Sequence, residues 1–580
     1  MTTDNGSTEL GLERLTENLQ RVEALTQRLL AAVSHKKPVR PALQGPGHDL
    51  FTKAATAYVT EMMSNPSRMI EQQIAYWGQS LQHFVDSQSA PADRRFSDPM
   101  WNEHPYFNFI RQQYLLNTKA METAVAQMDN LDTRERQKLD FFSRQIMDMF
   151  SPSNFLGTNP QALARAVETD GESLVRGLEN LVRDIEANNG DLMVTLADQG
   201  AFDVGSNIAT TPGKVVFRNH LFELIQYSPT TQTVQEVPLV IFPPWINKFY
   251  IMDLRPENSL VKWIVEQGFT LFVVSWINPD AAMRDTGVDT YIEDGFIAAI
   301  EQVKKICDVP QVNTMGYCIG GTTLSLTLAL LAQRGDTSVK SATLLTTLTD
   351  FSDQGEMSVF LDDDFVDGIA AEVEENGVLN KFFMSRTFSF LRSNDLIYGP
   401  AIRHYMMGES PPAFDLLYWN GDGTNLPGRM AIEYLRGLCQ RNQFADGGFE
   451  VCSARLQLSD IGVPVCAVAC ETDHIAAWAQ SYRGVQQMTG ADRHFLLAES
   501  GHVAGIINPP QRNKYGYYTQ KSLVESPEDW QSSAAYTAGS WWPAWKEWLM
   551  LHSGKSIEPR KPKFPKGLKL GNAPGQYVLK

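Results

Sequence analysis

The sequence predicts an α/β protein in which a mostly parallel β-sheet, with helices on both faces, follows an α-helical N-terminal domain. Residues 1–195 show apolar residues at helical spacing, whereas short runs rich in Val, Ile and Phe alternate with helical stretches after Gly200. Continuous apolar strands separated by helices are typical of a parallel sheet that is buried on both faces. About 110 residues separate two of these strands, far more than a crossover needs, which predicts an inserted cap subdomain.

The N-terminal domain is predicted to span residues 1–195. An apolar seam is predicted along its first helix, at Leu12, Leu15, Leu19 and Val22. This seam either docks on the protein itself or binds a partner or a lipid-like surface. Three prolines between 34 and 47 predict a linker, so residues 1–47 are expected to be mobile or partner-binding. Further helical patterns lie at 69–84, 107–128, 134–149 and 160–187.

Residues 196–580 are predicted to form the catalytic α/β domain. Two runs, at 215–217 and 222–227, indicate a hairpin. Six buried strands are predicted to follow, at 238–242, 270–275, 312–315, 342–345, 463–468 and 495–497. The cap insertion is predicted at about 350–460, over the carboxyl edge of the sheet.

Composition excludes several classes of function. The 580 residues include 67 acidic and 50 basic ones, a net charge of −17. This argues against nucleic-acid binding, which needs clustered Lys and Arg. The basic tail, 555–580, is the exception, and it is either an irregular surface strap or an arm for a polyanion. Six cysteines make no disulfide framework, and we see no signal peptide, transmembrane run, metal-ligand spacing or phosphate loop, so we expect a cytoplasmic chain.

The predicted chemistry lies at Gly-Tyr-Cys-Ile-Gly-Gly, residues 316–321. A strand ends at this motif and an apolar helix follows, which is the form of the nucleophile elbow of the α/β-hydrolase fold, with Cys318 in place of the usual Ser. The sharp turn strains the backbone, and glycine neighbours avoid a clash with the helix. The turn also directs the N–H of Ile319 and the positive end of the helix towards the sulfur, which favours the thiolate. The other five cysteines lack this setting.

A thiolate needs a base and an acid that orients it, and this fold supplies them in the order nucleophile, acid, His. His502 lies in a loop after the last predicted strand, where the fold presents its base. Asp473, after the preceding strand, is predicted as the acid in preference to Glu471. His474 is predicted either to line the rim of the site or to touch substrate.

A second oxyanion donor is expected in the loop after the 238–242 strand. The backbone N–H of Ile246 is our candidate, because prolines at 243 and 244 restrict the preceding backbone. Asn247 and Lys248 are alternative anchors of this loop.

A cysteine nucleophile rather than a serine favours acyl transfer. Exchange of one thioester for another is close to energetically neutral, which suits a substrate that arrives as a thioester of a carrier thiol such as coenzyme A. A transferase must keep water from its acyl-enzyme, and the cap insertion is expected to do so. A hydrolase with the same nucleophile is the alternative.

Several stretches resemble class I polyhydroxyalkanoate synthases, from about residue 60 to the tail. They lie at 151–155, 212–216, 243–248 with Asp253, 275–280, 316–321, 414–422 with 424–427, 501–505 with 508–510, and 539–543. The resemblance implies an acyltransferase that polymerises (R)-3-hydroxyacyl-CoA, mainly 3-hydroxybutyryl-CoA, into polyhydroxyalkanoate through a Cys318 thioester. Coenzyme A is then a leaving group, and neither a cofactor nor a metal is expected.

The resemblance also implies partners and further site residues. It implies a homodimer on storage granules in the cytoplasm, with the N-terminal region aiding both contacts. Arg392 lies where the family is thought to contact coenzyme A, although a surface salt bridge is an equal alternative, and Asp253 is a further candidate for substrate contact. Asp473 either activates the attacking hydroxyl or only orients His502. The competing functions are a thioesterase or polyester hydrolase on the same fold and a non-catalytic granule-binding protein.

Overall fold

The computed structural model describes residues 5–34, 93–128 and 133–580. The predicted linker, from residue 35, and the helical stripe at 69–84 lie outside these residues. The chain divides into two compact units, one of Met1–Asp198 with Arg386–Pro412 and one of Gln199–Ser385 with Ala413–Lys580.

The first unit is helical. Its helices before residue 198 are α1 Asn5–Ser34, α2 Met100–Glu103, α3 Pro105–Ala126, α4 Thr133–Met149, α5 Pro160–Glu168 and α6 Glu172–Ala187. The pattern at 160–187 predicted continuous helix, but Asp170 and Gly171 take φ angles of 50° and 83°. This left-handed backbone cannot continue a right-handed helix, so α5 ends and α6 begins there.

Helix α1 packs on α6. Leu25 is buried in an apolar cluster with Val175 and Val182, and Val22 lies against the same cluster. Leu19, which the sequence placed in the same seam as Val22, is instead 62% exposed. Of the predicted seam, Val22 therefore docks on α6 and Leu19 does not, whereas the side chains of Leu12 and Leu15 lie outside the described residues.

The second unit is built on a ten-stranded sheet. Its strands are β1 Gly213–Arg218, β2 Phe222–Tyr227, β3 Leu239–Phe242, β4 Leu271–Trp276, β5 Val312–Tyr317, β6 Val339–Leu345, β7 Val465–Cys470, β8 Arg493–Ala498, β9 Tyr517–Thr519 and β10 Ala535–Thr537. The spatial order is β1-β2-β4-β3-β5-β6-β7-β8-β9-β10. Pairing is parallel from β4 to β8 and antiparallel at both ends, and β1 with β2 forms the predicted hairpin. The three-residue strands β9 and β10 were not predicted, because they are too short to show alternation.

Helices separate most of the parallel strands. The longer α-helices from residue 199 onwards are α7 Leu260–Glu266, α8 Ala298–Cys307, α9 Ile319–Gln333, α10 Asp363–Asn376, α11 Lys381–Leu391, α12 Asp415–Gly421, α13 Gly428–Glu433, α14 Trp478–Gln487, α15 Pro527–Ser533 and α16 Trp542–Leu551. The π-helical turn Tyr291–Ile297 runs into α8, and Tyr434–Gln440 continues α13. Three short ribbons complete the unit, pairing Val234–Gln235 with Ser556–Ile557, Val378–Leu379 with Leu426–Pro427, and Phe449–Val451 with Ala454–Leu456.

The predicted cap insertion is not one block. Its segment Arg386–Pro412 belongs with the first unit, where the side-chain amide of Asn180 on α6 donates to the backbone oxygens of His404 and Glu409. This division could not be predicted from local sequence patterns, because it depends on tertiary contacts with a helix more than 200 residues earlier.

The basic tail lies along the edge strand β1 as an irregular strap. The N–H of Val215 donates to Gly571, Lys214 pairs with Asn572, and Val578 is buried in the core of the unit. In the described part of the chain, no helix has both the length and the apolar character needed to cross a membrane.

Candidate active site

Cys318 lies on a sharp turn between β5 and α9. Its φ and ψ are 53° and −126°, a conformation that costs a non-glycine residue of the order of 1–3 kcal/mol. Its N–H donates to the backbone oxygen of Leu345 at the end of β6, which ties the turn to the neighbouring strand. The turn places the thiol at the N-terminus of α9, where the helix dipole favours a negative sulfur.

Glycines allow this turn to close. A Cβ on Gly316 would lie 2.5 Å from the Cα of Gly321, and one on Gly320 would lie 2.5 Å from the backbone oxygen of Phe242. Real Cβ atoms do not approach backbone so closely, so the end of β5, the start of α9 and the end of β3 meet only because these positions lack side chains.

His502 and Asp473 meet beside the elbow. Asp473 follows β7 and His502 follows β8, and because β7 and β8 are adjacent and parallel their carboxyl ends lie at one edge. The imidazole Nδ1 lies 2.7 Å from Asp473 Oδ2, and the Cys318 side chain is close enough to the ring to raise the pKa of His502. The ring of Tyr317 stacks on that of His502, with centroids 5.8 Å apart.

The electrostatics of the pair favour a charged imidazole. Burial alone would lower the pKa of His502, but the charges of Asp473 and Cys318 and hydrogen bonds to both raise it well above its ordinary value. A proton on His502 is therefore stabilised by the Asp473 carboxylate on the Nδ1 side of the ring.

The other five cysteines are in a different environment. Burial raises the pKa of each of their thiols, at Cys307, Cys439, Cys452, Cys466 and Cys470. Neutral thiols are poor nucleophiles, which leaves Cys318 as the candidate.

The loop after β3 lies against the elbow. The indole N–H of Trp245 donates to Thr323 Oγ1 on α9 at 3.0 Å. Among the hydrogen bonds of the described residues, neither the N–H of Ile246 nor that of Ile319 has a protein acceptor. Their role as oxyanion donors stays a prediction.

Two family models match the chain. Residues 92–264 match the model described as "Poly-beta-hydroxybutyrate polymerase (PhaC) N-terminus", and residues 238–509 match the alpha/beta hydrolase fold. The poly(3-hydroxyalkanoate) polymerase of Methylorubrum extorquens is 39% identical over 573 residues, 94% of each chain. The polymerase subunit of Cupriavidus necator is 40% identical over 511 residues, 87% of this chain and 86% of its own.

The chain belongs to the poly(3-hydroxyalkanoate) polymerase family. This confirms the resemblance seen in the sequence, the acyltransferase class and the prediction of polyhydroxyalkanoate synthesis. The second model, together with the mostly parallel sheet, confirms the α/β-hydrolase fold. Among solved structures, the monoacylglycerol lipase of Paleococcus ferrophilus covers 57% of this chain and 99% of its own, at 13% identity and a TM-score of 0.32, too low to carry an argument about the site.

The sequence also offered Glu471 and His474, both close to Asp473 in the chain, as candidates for the site. Glu471 accepts from the side-chain amide of Gln531 at 2.8 Å and is not the partner of His502. His474 is half-buried in the turn that follows Asp473, and its contact with substrate stays a prediction.

Asp253 and Arg392 stay predictions as substrate contacts. The Asp253 carboxylate is buried and accepts from the hydroxyls of Thr211 and Ser259, each at 2.6 Å, and burial raises its pKa. Through these bonds Asp253 holds its own turn to residues 211 and 259. Arg392 is exposed, in the segment that belongs to the first unit.

Two tryptophans of the 539–543 stretch hold the loop of His502, a role the sequence analysis missed. The indole N–H of Trp541 donates to the backbone oxygen of Gly505, and that of Trp542 donates to Ile506, each at 2.9 Å. Both rings are fully buried. The resemblance marked this stretch as characteristic of the polymerase family, but only the fold shows which loop it reaches.

Residues that hold metals in proteins do not cluster here. In the ranges that the structure describes, no group of three His, Cys, Asp or Glu side chains is arranged to hold an ion.

Proposed function

We propose that this chain polymerises (R)-3-hydroxyacyl-CoA, mainly 3-hydroxybutyryl-CoA, through a thioester on Cys318. The observation that supports this is the placement of Cys318 on a nucleophile elbow beside the ring of His502, which Asp473 holds by a hydrogen bond. Membership of the polymerase family indicates the class of product. A thiol nucleophile can hold the activated acyl group as a thioester.

In the acylation step, His502 takes the proton of Cys318, and the thiolate attacks the carbonyl carbon of the acyl-CoA. The negative charge moves to the carbonyl oxygen, where the N–H groups of Ile246 and Ile319 stabilise it. The bond from carbon to the sulfur of coenzyme A then breaks, and coenzyme A leaves with the proton from His502. Coenzyme A is thus part of the substrate, and the reaction needs no cofactor.

In the elongation step, a hydroxyl of the next monomer or of the chain end attacks an acyl thioester. His502 accepts the proton of that hydroxyl, an ester C–O bond forms, and the C–S bond breaks. The thiolate regains its proton from His502, so the site returns to its starting state with the polymer one unit longer.

We also place this activity at a granule surface in the cytoplasm, in a homodimer. Large apolar side chains are exposed on the first unit, among them Tyr106, Phe109, Phe150 and Phe155, at 47–60%. A contiguous exposed apolar patch is a surface for an apolar partner, and we assign these side chains to such a patch. Sedimentation of the purified chain tests the dimer, and co-sedimentation with polyester particles tests attachment.

The decisive experiment exposes the full chain briefly to 3-hydroxybutyryl-CoA and measures its mass after proteolysis. An acyl adduct on Cys318, release of coenzyme A and insoluble polyester are expected. Release of coenzyme A with only soluble acid would instead indicate a thioesterase or hydrolase, and binding to particles without release would indicate a non-catalytic protein.

The matched variants are Cys318→Ala and Cys307→Ala. The first is expected to abolish release of coenzyme A with little change in melting temperature. The second removes a buried thiol at the end of α8 and is expected to stay active. An active Cys318→Ala variant would refute the nucleophile.

A further inference from the structure

Lys248 ends the loop that follows β3, and it is buried. Only 7% of the residue is exposed, and its Nζ donates to the backbone oxygens of Val578 at 2.6 Å and Lys580 at 2.9 Å. The carboxylate of Asp422 lies 3.4 Å away. Burial lowers the pKa of Lys248, and Asp422 opposes this effect. A buried lysine is costly unless its donors are engaged, so an apolar side chain would serve better here if packing alone were needed.

The backbone oxygens of the same loop are held as well. The hydroxyl of Thr424 donates to the oxygen of Trp245 at 3.0 Å, and the N–H of Thr424 donates to that of Ile246 at 3.2 Å. The indole of Trp419 donates to the oxygen of Lys248 at 2.8 Å. A single segment, 419–424, therefore engages three carbonyl groups of the loop.

The bond from the Thr424 hydroxyl to the Trp245 oxygen sets the orientation of the Ile246 N–H, the predicted oxyanion donor. The carbonyl of Trp245 and the N–H of Ile246 belong to one planar peptide group, in which they point in opposite directions. When Thr424 holds the carbonyl, it also fixes the direction of the N–H. Lys248 fixes the other end of the loop two residues later. The N–H of Ile246 is thereby held between two anchored points.

We propose that Lys248 and Thr424 are positioning residues that direct the N–H of Ile246 at the oxyanion formed during acylation of Cys318. This inference rests on the proposed function. It also gives a physical reason why three stretches that are far apart in the chain, 243–248, 414–427 and the end of the tail, are in contact in the fold. Each supplies one part of the same arrangement around the loop.

The rates of two reactions of Cys318, acylation and alkylation, distinguish positioning of the Ile246 N–H from a general effect on folding. Acylation by 3-hydroxybutyryl-CoA needs the thiolate and the oxyanion donors, whereas alkylation by iodoacetamide needs only the thiolate. We expect Lys248→Met and Thr424→Val to slow acylation at least tenfold and up to about 10²–10³-fold, the usual effect of losing one donor. Alkylation should stay within about twofold of wild type, because neither residue touches the pair of Cys318 and His502.

The controls are Lys262→Met and Thr231→Val. Lys262 pairs with Glu266 on the surface of α7, and Thr231 bonds to the carbonyl of Thr233 in an exposed turn. Both controls are expected to leave both rates unchanged.

The outcomes are distinct. If acylation and alkylation fall together, Lys248 and Thr424 only stabilise the fold and the proposal is wrong. It is equally wrong if acylation stays at the wild-type rate in a folded variant. If Lys248→Met does not fold, the nearly isosteric Thr424→Val decides. Failure of the wild type to form any adduct on Cys318 would instead overturn the proposed function itself.

Discussion

Asp473 Oδ2 and His502 Nδ1 lie 2.7 Å apart, on side chains that are 0% and 9% exposed. The other carboxylate oxygen of Asp473, Oδ1, accepts hydrogen bonds from the backbone N–H groups of Ile475 at 2.8 Å and Ala476 at 2.9 Å. Both oxygens are therefore engaged. A buried carboxylate held in this way orients the imidazole and balances its charge, and it leaves Nε2 for the thiol and for substrate.

Replacement of Asp473 by Asn tests whether orientation is its whole role. The amide of Asn favours the wrong tautomer of His502 and removes the charge that stabilises imidazolium. Since both steps use the same imidazole, we expect acylation and elongation to fall by a similar factor, about 10²–10⁴-fold. Single-turnover acylation and growth of a primed chain measure the two steps separately.

A much larger loss in elongation than in acylation would contradict this expectation. It would show that Asp473 activates the attacking hydroxyl, the alternative that the sequence left open. Glu471→Gln is the matched control, because its carboxylate bonds to Gln531 and not to His502. That variant is expected to keep both rates.

The raised pKa of His502 predicts a pH dependence of stability. Folding strengthens proton binding, because the folded pKa lies well above 6.5. The stabilisation is therefore fully present below about pH 6.5 and is lost as the pH rises through the folded pKa. We expect the difference in melting temperature between wild type and His502→Gln to be largest near pH 6 and to narrow in the alkaline range. A difference that widens with increasing pH would show that His502 is not held as imidazolium.

The sequence was sufficient to predict that Asp473 and His502 lie together beside Cys318, and the reason is geometric. In a parallel sheet the carboxyl ends of neighbouring strands meet, so residues just after β5, β7 and β8 must come together however far apart they lie in the chain. Cys318 could be found from its glycine neighbours, and His502 and Asp473 from the strands that precede them. Their assigned roles stay predictions until the variants are measured.

Features that depend on the packing of distant segments were not predictable. The exposure of Leu19 depends on which face of α1 meets α6, and both faces have apolar residues. The bond from Trp541 to Gly505 joins residues 36 positions apart, and no local pattern marks it. The same holds for Lys248, whose acceptors lie more than 300 residues later.

Replacement of Gly316 by Ala tests the close approach at the elbow. The new Cβ would lie 2.5 Å from the Cα of Gly321, and backbone at a helix start cannot move aside without shifting Cys318. We expect a loss of about 1–3 kcal/mol in the free energy of unfolding, the usual cost of overpacking, and slower acylation. Urea unfolding and single-turnover acylation measure these effects. Gly157→Ala, where no atom lies within 4 Å of the new Cβ, is the control, and equal stability of the two variants would contradict the expectation.

Replacement of Trp541 by Phe tests the support of the catalytic loop. Phe keeps the ring in the core but removes the N–H that bonds to Gly505, three residues after His502. A buried carbonyl left without its donor costs about 1–3 kcal/mol. We expect this loss in urea unfolding, together with a lower kcat for release of coenzyme A, because the imidazole is then less firmly placed.

Trp548→Phe is the matched control, on helix α16, of which Trp541 is the N-cap residue. Its N–H bonds to Asp492 at 3.2 Å, on a carboxylate that is 46% exposed, so water can replace the lost donor. The control should therefore keep kcat and lose little stability. If both variants lose kcat equally, removal of either indole is enough to disturb the site, and the bond from Trp541 to Gly505 has no special part in placing His502.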